Sequence, residues 1–510
     1  MTALLAALPI VVVLVLMVGR RWAASRAGLV GAALALVIAV AAFDLGRGVP
    51  LDAPGGAAYV GTFAEALFTA ATILWIVIPA LAIHHLQVAT GATDRLRLAL
   101  AGIASDPRLF ALLIGWFFAL FIEGAAGFGA SVALAAPFLV GVGYRPLDAV
   151  VVAMLGHAIG VSFGAIGTPL VPQVAATGLS PLEIAAPTAR LHLIAGWLLL
   201  AAMMLVASRA VGRPARGAIW GWTALAGAAF LVPYWLIATF VGPELPTLAG
   251  SLIGIAVFVA ALKLFGRQQA PGVVPDLPAA APTGAVDLLR AGAPYLVLIV
   301  LVLLTRLVPP IRDPLGAVEV AWTLPGGFTG SFRPLTHPGT LLAVSFLVGA
   351  ALARAGGSRI GAALRTTFGQ LAAVAVALVA MLSLARIMVH AGMTQSLAEA
   401  AAAGAGDAWP VMAPLVGVLG TFVTGSATAS NVLFTDLQVA TAETLSLPIP
   451  PMVAGQGYGA AVGNVVCPHN IVAAGATVGL TGGEGDVLRR TIGPALAYSL
   501  VGGVLLLTMT

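Results

Sequence analysis

A polar interruption inside a long apolar stretch constrains this chain more than any other feature. Glu123 and three glycines, in the sequence Glu-Gly-Ala-Ala-Gly-Phe-Gly at residues 123–129, separate an apolar run at 108–122 from another at 130–142. Each run is too short to cross a hydrocarbon core, which takes about 20 helical residues, and together they exceed one crossing. Broken backbone at that depth survives only where protein or a hydrated cavity satisfies its polar groups. We therefore predict a re-entrant helical hairpin over residues 108–142 whose tip faces a binding site.

The composition identifies an all-α polytopic membrane protein. Hydrophobic residues make up 60% of the 510 residues, charged residues make up 8%, and the mean hydropathy is +1.06. A soluble core could not bury so many apolar side chains. The 24 Lys and Arg residues lie mostly in short loops, where they set topology and do not indicate nucleic-acid binding. A single cysteine, Cys467, excludes an internal disulfide.

The apolar runs predict about twelve full spans and two hairpins. The spans are expected at residues 2–18, 26–43, 59–86, 147–171, 191–211, 218–241, 245–265, 291–308, 340–352, 366–389, 450–478 and 491–510. The Pro-, Ala- and Gln-rich residues 266–287 predict an exposed loop. The chain then divides into a first span (1–24), a first repeat (25–211, hairpin 108–142, broken span 147–171), linking spans (212–338) and a second repeat (339–510, hairpin 409–442, broken span 450–478).

Paired landmarks indicate that the two hairpin regions are internal repeats. The pairs are Gly124 and Gly425, Gly156 and Gly455, Pro169 and Pro468, and Gly178 and Gly479, at offsets of 301, 299, 299 and 301 residues. Seven single crossings separate the hairpins, an odd number, so the second copy is predicted to be inverted. A chance match between glycine-rich apolar segments is the alternative.

The distribution of basic residues predicts the orientation. If each hairpin returns to the side it entered, one side collects 18 Lys and Arg residues and the other collects five, with Arg386 inside a span. The first side is then cytoplasmic and both termini are outside. The absence of basic residues before the first apolar run, with Arg20 and Arg21 after it, favours an uncleaved first span.

The breaks predict four helix N-termini near the middle of the membrane, beginning at Ser131, Thr168-Pro169, Ser430-Asn431 and Cys467-Pro468. Their unpaired N–H groups form an anion site without an obligatory basic side chain. For each hydroxyl, the alternative is a helix-interior bond to the preceding turn. The predicted substrate-binding residues are Gly124, Gly127, Gly129, Ser131, Gly167, Thr168, Thr424, Gly425, Ser426, Thr428, Ser430, Asn431, Asn464 and Asn470.

Ionisable residues within apolar segments are candidates for proton coupling, because each is costly unless used or paired. They are Glu123, His157, His469, Asp436 and Arg386. Glu123 is the first choice as proton carrier, and each histidine is either a titrating group or a hydrogen-bonded core residue. Asp436 is expected in the second hairpin or near the outer interface. Arg386 could pair with Glu123, hold a substrate carboxylate or extend to the surface.

Several motifs resemble the L-lactate permease family. They are the tip at 123–129, Ser-Phe-Gly-Ala-Ile-Gly-Thr-Pro at 162–169, Gly-Pro-Glu-Leu-Pro at 242–246, Thr-Gly-Ser-Ala-Thr-Ala-Ser-Asn at 424–431 with 437–441, and the segments 476–480 and 484–486. The resemblance implies proton-coupled uptake of lactate (L or D), glycolate and similar 2-hydroxymonocarboxylates across the cytoplasmic membrane, by an inverted-repeat, elevator-like ion transporter.

This chain departs from the family pattern at four positions. Ala427 stands where the pattern has an acid and Asn464 where it has a lysine, as though a charge pair had been removed as a unit. His157 and His469 replace uncharged residues of the pattern, and one hypothesis is that they have taken over proton handling. Substrate identity and coupling residues therefore stay open.

Two other functions are weighed against this one. A sodium-coupled carboxylate or dicarboxylate transporter of the same architecture would need sodium-dependent currents. An intramembrane protease is suggested only by the Gly-x-Gly-Asp spacing at 404–407 and 483–486, in glycine-rich loops outside the spans. No His-Glu-x-x-His or P-loop motif occurs. We predict no cofactor and no metal, with a small organic acid, a proton and the bilayer as partners.

Overall fold

The protein is almost entirely helical. The computed structural model describes residues 2–20, 22–43, 45, 56–101, 106–127, 129–265, 284–480 and 483–510. Within them, eleven helices are long and apolar enough to cross a membrane, and three more apolar helices are shorter. The multi-pass, predominantly helical class is thereby confirmed, while the arrangement of twelve full spans plus two hairpins remains a prediction.

Before the gap in the described residues at 266–283, the chain alternates long helices with one hairpin and one broken helix. The elements are Thr2–Gly19, Ala24–Phe43, Gly56–Ala89, Ala92–Ala101, Pro107–Ala125, Ala130–Gly141, Pro146–His157, Ala158–Phe163, Gly164–Gly167, Thr168–Leu170, Val171–Thr177, Pro181–Ala210, Ala218–Phe240 and Pro246–Phe265. After it come Ala285–Leu307, Pro309–Gly316, Pro338–Leu352, Gly357–His390, Met393–Ala405, Gly406–Ala408, Trp409–Thr424, Ala427–Thr444, Ile449–Gly463, Pro468–Thr477 and Glu484–Leu507.

Both predicted hairpins have the expected helix–turn–helix form. The first (residues 107–141) turns between Ala125 and Ala130, and the second (residues 409–444) turns at Gly425 and Ser426. Each precedes a broken helix, the first over residues 146–177 and the second over 449–477. In the second, the helix stops at Gly463 and resumes at Pro468 with Cys467 as N-cap, as predicted.

The hairpins and broken helices form the centre of the molecule. In the apolar window of Pro107–Ala125, 94% of residues are buried, and in that of Pro146–Thr177 all are; the share falls to 33% for Ala24–Phe43. Peripheral helices such as this one expose Leu and Val side chains, which suits a lipid-facing position. The interrupted backbone is therefore enclosed by protein.

Several predicted boundaries were wrong, because hydropathy windows miss polar helix ends. The helix predicted from residue 191 begins at Pro181, where Ser180 and Glu183 form a reciprocal capping box. The helix predicted from residue 366 begins at Gly357. Gly357–His390 and Gly56–Ala89 each have 34 residues, which at 1.5 Å per residue is about 51 Å, against a hydrocarbon core of about 30 Å.

The segment between the two hairpin regions holds an element that hydropathy did not predict. Strands Val320–Leu324 and Phe328–Phe332 pair antiparallel, with Val320 opposite Phe332 and Leu324 opposite Phe328. A Pro-Gly-Gly turn joins them. Of the predicted loop at 266–287, residues 266–283 lie outside the described residues, and 285–287 belong to the helix Ala285–Leu307.

Three predicted helix starts are shifted in the structure. The second arm of the first hairpin begins at Ala130 with Gly129 as N-cap, one residue before Ser131. The turn at Thr168 has Gly167 as its N-cap, and the Thr168 hydroxyl donates back to the Ala165 carbonyl at 2.5 Å. Thr168 as an N-cap was therefore wrong.

The second arm of the second hairpin also begins earlier than predicted. It starts at Ala427 with Ser426 as N-cap, four residues before Asn431, so the start at Ser430-Asn431 was wrong. The Ser426 hydroxyl accepts the Ala429 N–H at 3.4 Å. A serine at the start of a helix can act as its N-cap by accepting the backbone N–H three residues later. This segment contains two serines that could do so, Ser426 and Ser430, so the sequence alone did not decide between them.

Candidate functional site

Both hairpin tips and both helix breaks contribute to the wall of one cavity of about 450 Å³, which we call the main cavity. Its opposite wall comes from two long helices, Gly56–Ala89 and Gly357–His390, through apolar side chains such as Val77 and Met381. Ala23, Ala24 and Ser25 line one end. Segments distant in sequence thus meet at one small space, of a size suited to a small molecule.

All four helix starts contribute residues to this wall. The lining includes Gly129, then Thr168 and Pro169, then residues 426–429, and finally His469 and Asn470. The two longest of these helices have 18 and 12 residues. Helix N-termini carry unpaired N–H groups and partial positive charge, so the cavity is electrostatically suited to an anion.

Glu123 is the acidic side chain of the main cavity. Its Oε2 accepts a hydrogen bond from the Ser131 hydroxyl at 2.8 Å, which ties the end of one hairpin arm to the start of the other. Glu123 is 4% exposed. A Cβ added at Gly164 would lie 2.5 Å from Oε1, so the glycine leaves room for the carboxyl group beside the first helix break.

Side-chain amides line the second helix break. Asn470 donates from Nδ2 to Oδ1 of Asn464, and both residues line the main cavity. His469 is exposed, and its side chain lies beside the tip of the second hairpin at Gly425. These groups offer a ligand donors and acceptors that carry no fixed charge.

Nine of the fourteen predicted substrate-binding residues line the main cavity: Gly127, Gly129, Thr168, Thr424, Gly425, Ser426, Thr428, Asn464 and Asn470. Glu123 and His469 line it as well, from the proton-coupling set. Ala427, where the family pattern has an acid, also lies on this wall. The structure therefore brings most of the predicted polar groups together.

The other predicted binding residues lie outside the wall and have structural partners. A Cβ on Gly124 would come within 2.5 Å of the Leu248 backbone nitrogen. The Ser430 hydroxyl donates to the Gly417 carbonyl at 2.9 Å. Asn431 donates from Nδ2 to the Pro169 carbonyl at 2.8 Å, joining the second hairpin to the first helix break. Ser131 acts through Glu123, and Gly167 faces a different cavity.

That different cavity, which we call the vestibule, has a volume of about 860 Å³ and lies against the β-hairpin. Gly167 and Arg386 line it, together with Glu65, Arg306 and Arg333. Arg386 is therefore absent from the main cavity wall, and no ion pair between it and Glu123 occurs among the described residues.

Two further candidates also lie away from the main cavity. His157 is 2% exposed, and its Nδ1 lies 3.1 Å from the Ala153 carbonyl in its own helix. Asp436 lies on the second hairpin and lines neither cavity. Their predicted roles in proton coupling gain no geometric support.

The sequence analysis missed several buried polar residues that position the site. Gln456 donates from Nε2 to the Ser430 hydroxyl at 3.2 Å, and its Oε1 accepts from Gln438 at 3.2 Å. The ring of His192 lies between the Ser162 hydroxyl, at 2.7 Å, and the Tyr498 hydroxyl, at 2.6 Å. An amide or imidazole inside an apolar run is costly, and that signal could have identified these residues.

No metal centre is evident in the part of the chain that the structure describes, where no group of three or more His, Cys, Asp and Glu could hold an ion. The polar groups of the main cavity suit hydrogen bonding to an organic anion better than metal coordination.

Comparison with known proteins identifies the family of this chain. The family model for L-lactate permease matches residues 2–510. Glycolate permease GlcA of Escherichia coli is 30% identical, with 99% of this chain and 95% of that protein covered. An L-lactate permease of Salmonella typhimurium is 31% identical over 94% of this chain and 91% of its own length. These relatives are permeases, so the intramembrane enzyme is set aside.

A solved transporter structure shares the fold. MtrF of Neisseria gonorrhoeae, described as one of a class of antimetabolite efflux pumps, superposes with a TM-score of 0.52 at 16% identity, covering 96% of this chain and 95% of that one. At such low identity the likeness concerns the fold alone. The match of the family model over nearly the whole length is decisive: this chain is a multi-pass membrane protein that belongs to the L-lactate permease family.

Proposed function

We propose that the protein takes up lactate, glycolate and related 2-hydroxymonocarboxylates by proton symport, with the substrate bound in the main cavity. The observation that carries the proposal is the meeting of four helix starts and one buried carboxyl group, Glu123, on a single small cavity. The names of the relatives, lactate and glycolate permeases, point to the same class of substrate.

The main cavity can hold a carboxylate without a basic side chain. Neither Lys nor Arg occurs among its lining residues in the part of the chain that the structure describes. Backbone N–H groups at the starts of the hairpin arms Ala130–Gly141 and Ala427–Thr444 supply donors for a carboxylate. The amides of Asn464 and Asn470 and the hydroxyl of Thr428 can bind the substrate hydroxyl.

Glu123 gives this site a physical reason to couple substrate to protons. An ionised Glu123 would repel a substrate carboxylate in the same cavity, whereas a protonated one removes the repulsion and supplies a donor. Proton binding and substrate binding then favour each other by the same free energy. Ser131, whose hydroxyl can donate or accept, remains a partner for Glu123 in either state.

Matched contacts support the proposed inverted repeat. A Cβ on Gly156 would overlap the Gly115 carbonyl oxygen, where the first hairpin meets the first broken helix. A Cβ on Gly459 would overlap the Pro414 carbonyl oxygen, where the second hairpin meets the second broken helix. A close backbone approach thus joins the hairpin to the broken helix in both copies, with Gly459 standing four residues after Gly455, the landmark paired with Gly156.

The wall opposite the hairpins supports an elevator-like motion. Ile73, Val77 and Leu81 on one helix, with Ala377 and Met381 on the other, face the main cavity with apolar side chains. Such a surface makes no hydrogen bonds that sliding would break. Hairpins and broken helices could therefore move against it as one body.

The predicted orientation assigns a side to each cavity. The main cavity ends at residues 23–25, in the connection that follows Arg20 and Arg21, which the count of basic residues makes cytoplasmic. The vestibule lies against the β-hairpin, on the predicted outer side. In this proposal the described conformation exposes the substrate site to the cytoplasm of a protein in the cell membrane.

The test uses purified protein in proteoliposomes with a pH dye. Lactate added outside should alkalinise the external medium, and Glu123→Gln should abolish that signal and concentrative uptake while retaining lactate exchange, since glutamine imitates the protonated acid. Glu399→Gln, at an exposed acid on the helix Met393–Ala405, is the matched control and should behave as wild type.

The sodium-coupled alternative gives a different result in the same vesicles. Replacing sodium with an impermeant organic cation should leave lactate uptake unchanged if protons drive it. Loss of uptake on removing sodium, with Glu123→Gln still concentrating lactate, would overturn the proposal. A panel with acetate, glycolate and succinate then defines the substrate class.

A further inference from the structure

The main cavity and the vestibule share a thin wall. Gly164, Ala165, Thr168 and Pro169 line the main cavity, whereas the intervening Ile166 and Gly167 line the vestibule. One stretch of the first broken helix thus presents successive residues to opposite sides. An anion in the vestibule is separated from the proposed substrate site by the thickness of this segment.

The acids of the vestibule already have partners. Glu244 accepts a hydrogen bond from Arg306 at 2.5 Å. Glu65 lies with Oε2 at 2.9 Å from His390 Nε2, and its Oε1 accepts the Thr329 N–H at 3.3 Å. These contacts pair the charge of Glu244 with that of Arg306, and they give Glu65 two hydrogen-bond partners.

Arg386 is different, because its guanidinium is largely unused. Nη2 of Arg386 donates a hydrogen bond to the Ala175 carbonyl at 3.4 Å, whereas a guanidinium has five N–H donors. No carboxylate of the described residues lies within ion-pair distance of it. Asp436 and Glu65 act on it electrostatically without filling its donor fork. A cation that has no ion-pair partner in an apolar span is energetically costly, and such residues usually have a function.

We propose that the vestibule contains a second carboxylate site, in which Arg386 binds the substrate anion on the other side of the 164–170 segment from the main cavity. The planar guanidinium matches a carboxylate through two parallel N–H···O bonds. The substrate class rests on the proposed function. The site concentrates monocarboxylate on the predicted outer side and lowers the concentration needed for half-maximal uptake.

The matched control is Arg333, which lines the same vestibule. Its guanidinium is paired with Glu319 at 3.2 Å and is 61% exposed. Loss of Arg333 therefore removes a positive charge from the vestibule, but it does not remove a guanidinium that is free to bind an anion. Any effect of bulk charge alone should be equal at the two positions.

The experiment places a thiol at each position in cells expressing the protein. Arg386→Cys and Arg333→Cys are made in the otherwise unchanged protein, whose single native cysteine, Cys467, is buried; wild type treated in the same way controls for any reaction at Cys467, and surface expression is measured for each. Cationic and anionic methanethiosulfonate reagents are applied outside, with and without lactate. At Arg386→Cys, lactate at several times its raised half-saturating concentration should slow modification several-fold by occupying the space beside the thiol; at Arg333→Cys the same concentration should not.

The sign of the attached charge provides the second readout. In Arg386→Cys the half-saturating lactate concentration should rise about tenfold, return towards wild type with the cationic adduct and rise further with the anionic one. A merely structural role for Arg386 predicts the same result for both adducts. Equal modification rates with and without lactate, or equal effects of the two adducts, would overturn the second site.

A further variant separates this inference from the proposed function. Asn464→Ala, combined with Arg386→Cys, weakens the main cavity. In this combined variant, lactate should still protect the thiol if the anion binds in the vestibule directly. Loss of the protection would mean that it came from a conformational change caused by binding in the main cavity, and would refute the second site. Failure of proton coupling, by contrast, appears in the proteoliposome assay and leaves the protection result unchanged.

Discussion

Gly167 offers a prediction whose size can be worked out from the structure. It stands at the start of the turn Thr168–Leu170 with φ of 76°, and a Cβ there would lie 2.7 Å from the Pro243 carbonyl oxygen. The left-handed conformation costs an L residue about 1–2 kcal/mol. Overpacking against a backbone atom adds about 1–3 kcal/mol. Gly167→Ala should therefore destabilise the protein by about 2–5 kcal/mol.

Gly178 is a control that isolates the first of these two costs. It ends the same broken helix with φ of 67°, and no atom lies within 4 Å of the position of its Cβ. Gly178→Ala should cost about 1–2 kcal/mol. The difference, about 1–3 kcal/mol, corresponds to about a 5- to 150-fold change in the ratio of folded to unfolded protein.

The first assay heats wild type and both variants in detergent and measures the fraction of each protein that remains monodisperse. The second measures lactate uptake at equal amounts of protein. We expect wild type to survive best, Gly178→Ala to be intermediate and Gly167→Ala to be lowest. Uptake by Gly167→Ala should fall further than its protein level explains, because Thr168 on the main cavity wall must move. Equal losses in the two variants would refute the contact between the first helix break and Pro243.

Three other predictions concern the polar groups around the main cavity. Asn431→Ala leaves the buried carbonyl of Pro169 without its hydrogen-bond donor and should cost about 1–3 kcal/mol of stability. The same heating assay measures the loss, and wild-type stability of the variant would contradict this hydrogen bond. Ala427→Glu or Asn464→Lys alone should abolish uptake, because each buries one uncompensated charge. The double variant should recover part of the uptake, and additive losses would show that the introduced acid and base form no ion pair. His469→Ala should alter the pH profile of uptake and His157→Ala should not, whereas an unchanged profile and rate in the double variant would exclude both histidines from proton handling.

The sequence predicted helix breaks well because their signals are local. Glycines, a proline and a carboxylate inside an apolar run disfavour a continuous helix wherever the chain places them, so both hairpin tips and both interrupted spans fell within a few residues of their predicted positions. Exact N-caps were harder, because Thr168 can either cap a helix or donate to the preceding turn, and it does the latter.

Contacts between distant segments could not be predicted in this way. Asn431 and Pro169 are 262 residues apart, and nothing near either residue indicates the other. The same holds for His192 and Tyr498. Gly167 was expected at the substrate site, but successive residues of the 164–170 segment face different cavities. Which cavity each residue faces depends on how that segment packs against Pro243 and not on its composition.

The electrostatics of the main cavity lead to a statement about charge movement. Among the residues that the structure describes, its wall holds one acid, Glu123, and no Lys or Arg, so in the proposed mechanism one proton carried on Glu123 balances one monocarboxylate. Transport with this stoichiometry moves no net charge, and a potassium diffusion potential set with valinomycin should leave the initial rate of lactate uptake unchanged at fixed pH gradient. The acid and the lysine of the family pattern would cancel each other, so their replacement by Ala427 and Asn464 preserves this balance. Uptake accelerated by a negative interior would instead require a second positive charge, and His469, exposed on the same wall, is the residue whose replacement should then remove the dependence.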